Sequence, residues 1–470
     1  MVGMLKIKRV LAIVSMCIVV LGGILYSPIV AYADTGADEL ADYQEISRQI
    51  EEDVERYHIP GMSIVIVDAD KVLFSETYGN CDSIDTPFII GSMSKSFTAL
   101  AVMQLVEEGR VDLDQKISSY IDVSSYLKNP QDGDKITVRQ LLNQTSGLGE
   151  YQRFGNAEIT DSYGKYQYAN VNYSLLGKII ESVTGKNYAE YVEKNIFAPL
   201  QMNHSAATLE EAKEDGLIAG YRNYFGFPIA GEPDYPDDSS WSLVPAGYIS
   251  SSTSDMGKYL QMYLKGGEGI ISQSSIETMF YDHIPQDDSN LNYYGMGWGL
   301  SDQFSEPMLN HSGLVENYTS NMFILPESGI GIVVLVNMND YFVDNNLLGN
   351  VVLPLLGEEK HDLPGNPYVW MHLLIDLVYL LILIIAVYPL FSVKQWKKKN
   401  KTKKLLVVEI IRHGIFPVML LALPYVLGIP MWVIWHYVKD LAIILLSSAS
   451  ILIVMGVYKI VCKVREKISS

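Results

Sequence analysis

Apolar runs at the two ends of the chain differ in pattern from the sequence between them. Near the N-terminus, Lys6, Lys8 and Arg9 precede an uncharged run over residues 10–25, and a small-residue sequence, Ala-Tyr-Ala, ends at Ala33. A basic start, a short apolar run and a small-residue cleavage site are typical of a secretory signal peptide. We therefore predict a signal peptide over residues 1–33. The alternative is an uncleaved signal anchor, which would export the following domain equally.

Three longer apolar runs lie at the other end of the chain, over residues 377–393, 411–429 and 441–458. Each is close to the roughly 20 residues that an α-helix needs to cross a bilayer. We predict a membrane domain over residues 369–470 with three transmembrane helices. Residues 357–368, rich in charge, proline and glycine, are predicted to be the linker that precedes it.

Basic residues predict how this membrane domain is oriented. The sequence KQWKKKNKTKK at residues 394–404 separates the first two runs, and KVREK at 463–467 follows the third. Cytoplasmic segments carry the excess of lysine and arginine, so residues 34–356 are expected on the extracellular side. Three aromatic residues between the second and third runs suit the outer interface: Trp432, Trp435 and Tyr437.

Residues 34–356 change from strand to helix patterns and back to strand. Two β-rich pairs, 62–67 with 72–78 and 321–325 with 331–337, each surround a turn and predict hairpins. The sequence between them is mostly helical. Strands at both ends with helices in the middle predict an α/β (α+β) fold, in which an antiparallel sheet is flanked by helices and a helical subdomain is inserted. A cleft between the two is the expected binding site.

Composition narrows the choice of partner. The net charge is −19, although residues from 369 onward are strongly basic, so the exported domain carries a large acidic excess. Nucleic-acid binding needs clustered lysine and arginine, and we therefore expect no nucleic-acid partner. Only Cys81 lies in the exported domain, which excludes a disulfide within it. The sequence carries no signal for an oligomeric state.

A lysine within an apolar segment indicates a candidate site. The motif Ser-x-x-Lys occurs at Ser92, Ser125 and Ser162, so the motif alone decides nothing. The second and third lie in polar, turn-like sequence. Ser92 instead opens an apolar segment that predicts a core helix ending near Gly109, and Lys95 lies one helical turn after it.

Two interpretations of this pair are open. Burial would lower the pKa of Lys95, so that a neutral amine could take the proton of Ser92 and activate it as a nucleophile, with a backbone N–H at the helix start to stabilise an oxyanion. Alternatively, Ser92 is an N-cap and Lys95 extends its ammonium to solvent.

Two later motifs favour the catalytic interpretation. Tyr168-Ala169-Asn170 precedes a predicted helix, and His311-Ser312-Gly313 precedes the late hairpin. With Ser92 and Lys95 they occur in the order found in serine β-lactamase-like hydrolases, the group of class C β-lactamases, low-molecular-weight penicillin-binding proteins and related esterases and D-aminopeptidases. The chain resembles this family over nearly all of residues 40–356.

The resemblance implies a role for each motif residue. Ser92 would be the acylated nucleophile, Lys95 its proton acceptor, and Tyr168 a second base whose pKa a neighbouring ammonium lowers. Asn170 would bind the substrate amide and hold Lys95. The strand of the third motif would line the substrate, with the Leu314 N–H as second oxyanion donor. The implied substrate-binding residues are Asn170, His311, Ser312, Gly313 and Leu314.

Three positions depart from the family pattern. His311 stands where many members have lysine, and a histidine of ordinary pKa is only about a quarter protonated at pH 7, so a substrate carboxylate would be held less firmly. Gln144 replaces a usual histidine and Gln201 a usual glycine. We expect no loss of catalysis from these two, because they lie in structural signatures.

The resulting prediction is an exported, membrane-anchored serine hydrolase that acts through an acyl-enzyme on amides or esters. Peptidoglycan stem peptides or β-lactam-like compounds are the leading small-molecule or peptide substrates. The alternatives are a penicillin-binding sensor without turnover and an esterase or D-aminopeptidase unrelated to the cell wall. The eight histidines show no metal-binding spacing, so we expect no metal and no cofactor.

Overall fold

A computed structural model describes residues 43–237, 239–339, 351–352, 355–356, 367–398 and 403–468. The predicted signal peptide, residues 1–33, and residues 357–366 of the predicted linker lie outside the described residues. The last two residues of the predicted linker belong to the first of three long apolar helices, which begins at Pro367.

The central element is an eight-stranded sheet in the order β2-β1-β12-β11-β10-β9-β8-β7, with antiparallel neighbours throughout. Two small sheets, β13-β4-β5 and β3-β6, lie beside it. The strands are β1 Gly61–Val67, β2 Val72–Gly79, β3 Phe88–Ile89, β4 Gly220–Tyr224, β5 Phe227–Gly231, β6 Ser250–Ser251, β7 Ile284–Pro285, β8 Asn292–Tyr294, β9 Gly299–Ser301, β10 Met308–Leu314, β11 Thr319–Leu325, β12 Ile330–Val336 and β13 Met338–Asn339.

The helices lie mainly between β3 and β7 and after β13. They are α1 Tyr43–Arg56, α2 Ser94–Glu107, α3 Val138–Leu142, α4 Asn170–Thr184, α5 Tyr188–Val192, α6 Ala198–Leu200, α7 Leu209–Glu214, α8 Val244–Gly247, α9 Thr253–Leu264, α10 Gln273–Tyr281, α11 Pro367–Lys398, α12 Lys403–Ile410, α13 Phe416–Val426, α14 Met431–Tyr437 and α15 Lys439–Ile468. Short 3₁₀ turns include Gly91–Met93, and single π turns occupy Glu193–Phe197 and Ile411–Ile415.

Both predicted hairpins are confirmed, and they are neighbours because β1 pairs with β12. The first strand is buried along its whole length, so both faces of the sheet must be covered. Successive side chains point to opposite faces. Val65 and Val67 lie beneath Gly257 of α9, whereas Ile66 pairs with Phe74, whose ring stacks on Tyr43 of α1. The sheet therefore lies between α1 and α9.

The predicted core helix is also confirmed. All but three of the residues in α2 are buried, and it lies between the sheet and the inserted helices, in contact with α4 and α8. The 3₁₀ turn that precedes it packs on β10 and β11. One edge of the site is therefore the sheet, and the other is the helical subdomain, as the alternation of patterns predicted.

Three helices near the C-terminus are long and apolar enough to cross a membrane: His372–Trp396, Leu405–Val426 and Lys439–Arg465. They pack together through a small apolar cluster that includes Ala386 and Leu452. A polar contact joins the second and third helices as well. Lys459 Nζ donates to Glu409 Oε2 at 2.6 Å and lies 3.0 Å from Nε2 of His413.

Candidate active site

The turn that carries Ser92 lies directly on strand β10. Gly91 has a φ of +53°, and a Cβ on it would come within 2.6 Å of the Leu314 nitrogen. A Cβ on Gly313 would collide with the carbonyl oxygen of Ile90. Only glycine permits both the left-handed turn and this backbone approach. The backbone amides of Ser92 and Leu314 are thereby brought to the same edge of the site.

Lys95 is fully buried, with 0% of its surface exposed. Its Nζ lies 2.9 Å from Ser92 Oγ, 2.7 Å from Asn170 Oδ1 and 2.5 Å from the carbonyl oxygen of Ala246. These partners are all uncharged, and burial lowers the pKa of Lys95 well below its usual value. A neutral amine has two N–H groups and one lone pair. The two carbonyl oxygens take the N–H groups, which leaves the lone pair for the hydroxyl of Ser92.

The alternative interpretation of this pair is wrong. Met93 occupies the N-cap position of α2, no side chain caps that helix start, and Lys95 does not reach solvent. The other two Ser-x-x-Lys lysines are exposed as expected, since Lys128 forms a surface ion pair with Glu158 and Lys165 lies in solvent. Tertiary burial therefore separates one lysine from two others with the same local motif.

Tyr168 lies beside this pair, with its ring centroid 4.8 Å from Lys95 Nζ and its side chain hydrogen-bonded to that of Ser92. The expected lowering of its pKa is wrong. Burial is the largest cause that raises the pKa of Tyr168 well above its usual value, and neighbouring Tyr294 raises it further, whereas the bond to Ser92 lowers it. A neutral Lys95 offers no positive charge to offset burial. The resting phenol is therefore neutral.

Asn170 is the first residue of α4, and Gln144 holds the loop that leads to it. Gln144 Oε1 accepts from the Ala169 N–H at 3.0 Å and from Asn172 Nδ2 at 2.5 Å. Gln144 itself has a φ of +58°, a conformation rare for a side chain-bearing residue. The sequence placed Gln144 among structural residues, and its contacts add that it supports the loop between Tyr168 and Asn170.

His311 lies on β10 and is only 6% exposed. Its Nδ1 lies 2.7 Å from the Ser312 carbonyl oxygen, which can only accept, so Nδ1 carries the proton and Nε2 accepts from the Tyr294 hydroxyl at 3.2 Å. Burial is the largest cause that lowers the pKa of His311 to about 3. The imidazole is neutral at pH 7, so the expected fraction of about a quarter protonated is too high. The exposed side chains on this strand are Ser312 and Leu314.

Two residues in the site carried no sequence signal. Tyr294, on β8, joins the third motif to the second because its ring contacts both His311 and Tyr168. Glu316, two residues after Leu314, is fully buried and accepts a hydrogen bond from the Tyr248 hydroxyl at 2.8 Å. A chain with 31 tyrosines and 54 acidic residues marks neither position.

Among the described residues, one group of donors could hold a metal ion. Oxygen or nitrogen atoms of Asp234, Glu316 and His436 lie within 4.8 Å of one another. Sequence spacing could not reveal this group, because its members come from three distant segments. The guanidinium of Arg222 lies 2.9 Å from Asp234 and disfavours a second cation there. An ion-paired polar cluster fits these residues better than a metal site.

Comparisons with known proteins agree with this geometry. A family profile described as Beta-lactamase matches residues 46–351. The protein Flp of Staphylococcus aureus strain N315 is 30% identical over 331 residues, which cover 64% of each chain, so the match spans just under two thirds of that relative. The unguisins hydrolase UngD' of Aspergillus campestris is 23% identical, over 72% of this chain and 68% of its own.

Two solved structures have the same fold. The octameric penicillin-binding protein homologue from Pyrococcus abyssi is 29% identical with a TM-score of 0.60, over 68% of this chain and 79% of its own. A D-stereospecific amidohydrolase from Streptomyces is 22% identical with a TM-score of 0.53, over 65% and 98%, and is similar in fold. The arrangement of sheet, inserted helices and buried Ser92–Lys95 pair, together with the profile match, establishes that the chain belongs to the Beta-lactamase family.

Proposed function

We propose that this chain is an exported, membrane-anchored serine hydrolase that acts through an acyl-enzyme on an amide or ester bond. The observation that carries the proposal is Lys95. Lys95 has no acidic partner among the described residues, and its Nζ lies 2.9 Å from the partly exposed hydroxyl of Ser92. A fully buried amine of this kind is costly for folding unless it stays neutral. A neutral amine next to a hydroxyl is a general base.

In the proposed acylation step, Ser92 Oγ attacks the carbonyl carbon of the substrate and its proton passes to Lys95 Nζ. The carbonyl π-bond electrons move to oxygen, and the backbone N–H groups of Ser92 and Leu314 would stabilise that oxyanion. Asn170 and Ala246 hold the amine from the other side, since both are within hydrogen-bonding distance of Nζ.

Tyr168 would complete the step as a neutral acid. Its phenol donates a proton to the leaving amine or alcohol as the carbon–leaving-group bond breaks, and it recovers a proton from the Lys95 ammonium. Water then attacks the acyl-enzyme, loses a proton to the same relay, and releases the acid and Ser92. A pKa raised by burial fits a group that gives up its proton only when a stronger base, the departing group, is beside it.

Peptidoglycan stem peptides and β-lactam-like compounds are the first substrates to test, because a penicillin-binding protein homologue is among the similar structures. One observation favours the second candidate, an esterase or D-aminopeptidase unrelated to the cell wall. Stem peptides and penicillins carry a carboxylate, and the neutral, buried His311 offers it no positive charge. Esters and amides without a carboxylate would suit this site better.

The packing of the membrane domain supports the extracellular orientation. The hydrolase contacts α14, which joins the second and third spans. The first span instead reaches the basic sequence at Lys394 at the other end of the bundle, where Trp396 contacts Lys459 of the third span. Since basic connections stay in the cytoplasm, the hydrolase would lie outside.

Covalent labelling tests the proposal. Full-length protein in detergent is treated with a fluorescent fluorophosphonate and with a fluorescent penicillin, and the labelled peptide is identified by mass spectrometry. Ser92 should be labelled, and Ser92→Ala should not. Ser162→Ala is the matched control, because it has the same local motif with an exposed lysine, and it should label like the natural protein.

Turnover separates the alternatives. A short ester, a D-alanyl amide, a D-Ala-D-Ala peptide and penicillin are compared, and the substrates without a carboxylate should have the higher kcat/KM. His311→Lys should lower KM for the carboxylate substrates alone. If the substrates acylate the protein but no product is released, the result would instead support a penicillin-binding sensor. If neither probe labels Ser92 in the labelling experiment, the result would contradict a hydrolase.

A further inference from the structure

The short helix α14, between the second and third membrane spans, packs on the hydrolase instead of facing open solvent. The Trp432 ring lies 6.2 Å from that of Tyr151 and 5.5 Å from that of Trp241. The Arg153 guanidinium lies over the same ring at 5.1 Å, and Tyr437 lies 6.2 Å from Trp241. This group of aromatic rings, with α14 on one side and the hydrolase on the other, forms one continuous contact.

A buried polar contact accompanies the aromatic one. Nε2 of His436 touches Oε1 of Glu316, and its Nδ1 lies 3.7 Å from Asp234. Glu316 is fully buried, and its second oxygen has no hydrogen-bond partner among the described residues. A buried carboxylate is costly unless it is paired. The imidazole on α14 therefore contacts a buried carboxylate two residues from the proposed oxyanion donor, Leu314.

Each hydrolase segment in this contact also carries part of the proposed catalytic site. Tyr151 lies on the loop that leads to Tyr168. Trp241 precedes α8, whose Ala246 carbonyl oxygen accepts from Lys95. Glu316 follows β10. Burial raises the pKa of Tyr437, and neighbouring Glu316 and Tyr168 raise it further, in keeping with a position at the edge of the cleft.

A second contact holds the hydrolase close to the membrane spans. Phe225 lies in the turn between β4 and β5. Its ring lies 5.9 Å from that of Tyr379 on α11, and its N–H donates to Asp440 at the start of α15. On the same hairpin Phe227 is 71% exposed, and Ile229 is also exposed. Exposed aromatic and aliphatic residues beside the ends of membrane helices are typical of contact with the lipid interface.

We propose that α14 forms one wall of the active-site cleft, so that the catalytic site is complete only with the membrane domain and accepts an ester or amide carried by a membrane-borne amphiphile. This inference rests on the proposed hydrolase function. Trp432 and Tyr437 would contact the substrate, and His436 would act as a positioning residue through Glu316. Three spans are then explained, because one helix would anchor the domain but could not return a loop to the cleft.

Two tryptophans on α14 offer a matched test. Trp432→Ala removes the ring in contact with the hydrolase, whereas Trp435→Ala removes an exposed ring of the same helix that stacks with Lys439. Full-length protein in lipid nanodiscs is assayed with one acyl group carried either on a short soluble alcohol or on a diacylglycerol-type anchor. Labelling of Ser92 by a small fluorophosphonate is measured in parallel.

The expected result is selective. Trp432→Ala should lower kcat/KM for the lipid-anchored ester at least tenfold and leave the labelling rate within threefold, and Trp435→Ala should leave both within threefold. The natural protein should prefer the anchored ester. Equal effects of the two variants, a gain of activity in Trp432→Ala, or no preference for the anchored ester would overturn the proposal. Unlabelled Ser92 in the natural protein would instead contradict the hydrolase function itself.

The role of His436 needs a second readout. His436→Leu removes the imidazole beside the Glu316 carboxylate, which keeps the hydrogen bond from the Tyr248 hydroxyl. This variant should lower kcat at least fivefold with KM changed less than twofold. In the double variant His436→Leu/Glu316→Gln the buried charge is gone, so kcat should recover at least threefold. If the contact were merely structural, His436→Leu would lower the melting temperature without lowering kcat more than it changes KM. If kcat does not recover in the double variant, the positioning role is overturned.

Discussion

Two buried lysines in this chain, one in the hydrolase and one in the membrane bundle, have opposite surroundings. Lys95 is 0% exposed and contacts a hydroxyl, an amide oxygen and a backbone carbonyl. Lys459 is 5% exposed, but its Nζ donates to the carboxylate of Glu409. Burial is nearly the same at both lysines, but within the part of the chain that the structure describes only Lys459 has an anionic partner.

The difference separates the proposed general base from a lysine held in an ion pair. An ammonium without a counterion loses its hydration on burial with nothing in return, so the neutral amine is favoured at Lys95. A carboxylate within hydrogen-bonding distance gives Lys459 an ion-pair partner, and this contact joins two of the apolar helices. The presence of an anion, and not burial alone, decides which lysine can act as a base.

The largest effect is expected from Lys95→Met. The methionine fills a similar buried volume but cannot accept the Ser92 proton, so kcat/KM should fall roughly 10³-fold. Stopped-flow measurement of acylation by an activated ester checks this. Lys459→Met is the control. At temperatures below the melting temperature of this variant, Ser92 should be acylated at the same rate as in the natural protein. Retention of more than a tenth of the activity in Lys95→Met would mean that another group is the base.

The membrane lysine should respond to loss of its partner. Glu409→Gln leaves the Lys459 ammonium buried without a carboxylate, which should destabilise the bundle by roughly 3 kcal/mol. Thermal unfolding of the full chain in detergent measures the change. The double variant Glu409→Gln/Lys459→Met removes both charges and should recover most of the loss. An unchanged melting temperature in the single variant would show that this lysine does not depend on the ion pair.

His311 gives the smallest and most pH-dependent effect. Its folded pKa of about 3 lies below the unfolded value of 6.5, so between these pH values the unfolded chain binds a proton that the folded chain excludes. Stability is therefore lost as the pH falls below 6.5, by roughly 1 kcal/mol per pH unit. The free energy of unfolding, measured with denaturant at pH 7, 6 and 5, should change less with pH for His311→Gln than for the natural chain. Parallel curves would mean that the imidazole is protonated in the folded state.

Most of the local structure was predictable because local patterns determine it. The two hairpins follow from alternating β-rich runs on either side of turns, and α2 follows from a continuous apolar segment that ends at Gly109. The three membrane-length helices follow from length and hydrophobicity. The motif residues Ser92, Lys95, Tyr168 and Asn170 were identified from their order along the chain, and they do converge.

The parts that were not predictable depend on which groups face each other. The pKa of Tyr168 was expected to fall because a charged neighbour was assumed. Burial instead raises this pKa, because the neutral Lys95 offers no charge to offset it. Gln144 was assigned to structure without its contacts to Ala169 and Asn172. Nothing in the spacing of Glu316 and His436, separated by 120 positions, indicates that their side chains meet.

The sequence by itself determined the elements, the family and the order of the reactive side chains, because hydrophobic periodicity and short motifs are local properties of a chain. Only the tertiary structure decided which lysine is neutral, that His311 is buried against Tyr294, and that α14 packs on Tyr151 and Trp241. Charge state and contact depend on the solvation and partners that folding brings together from distant segments, and these are absent from any short stretch of sequence.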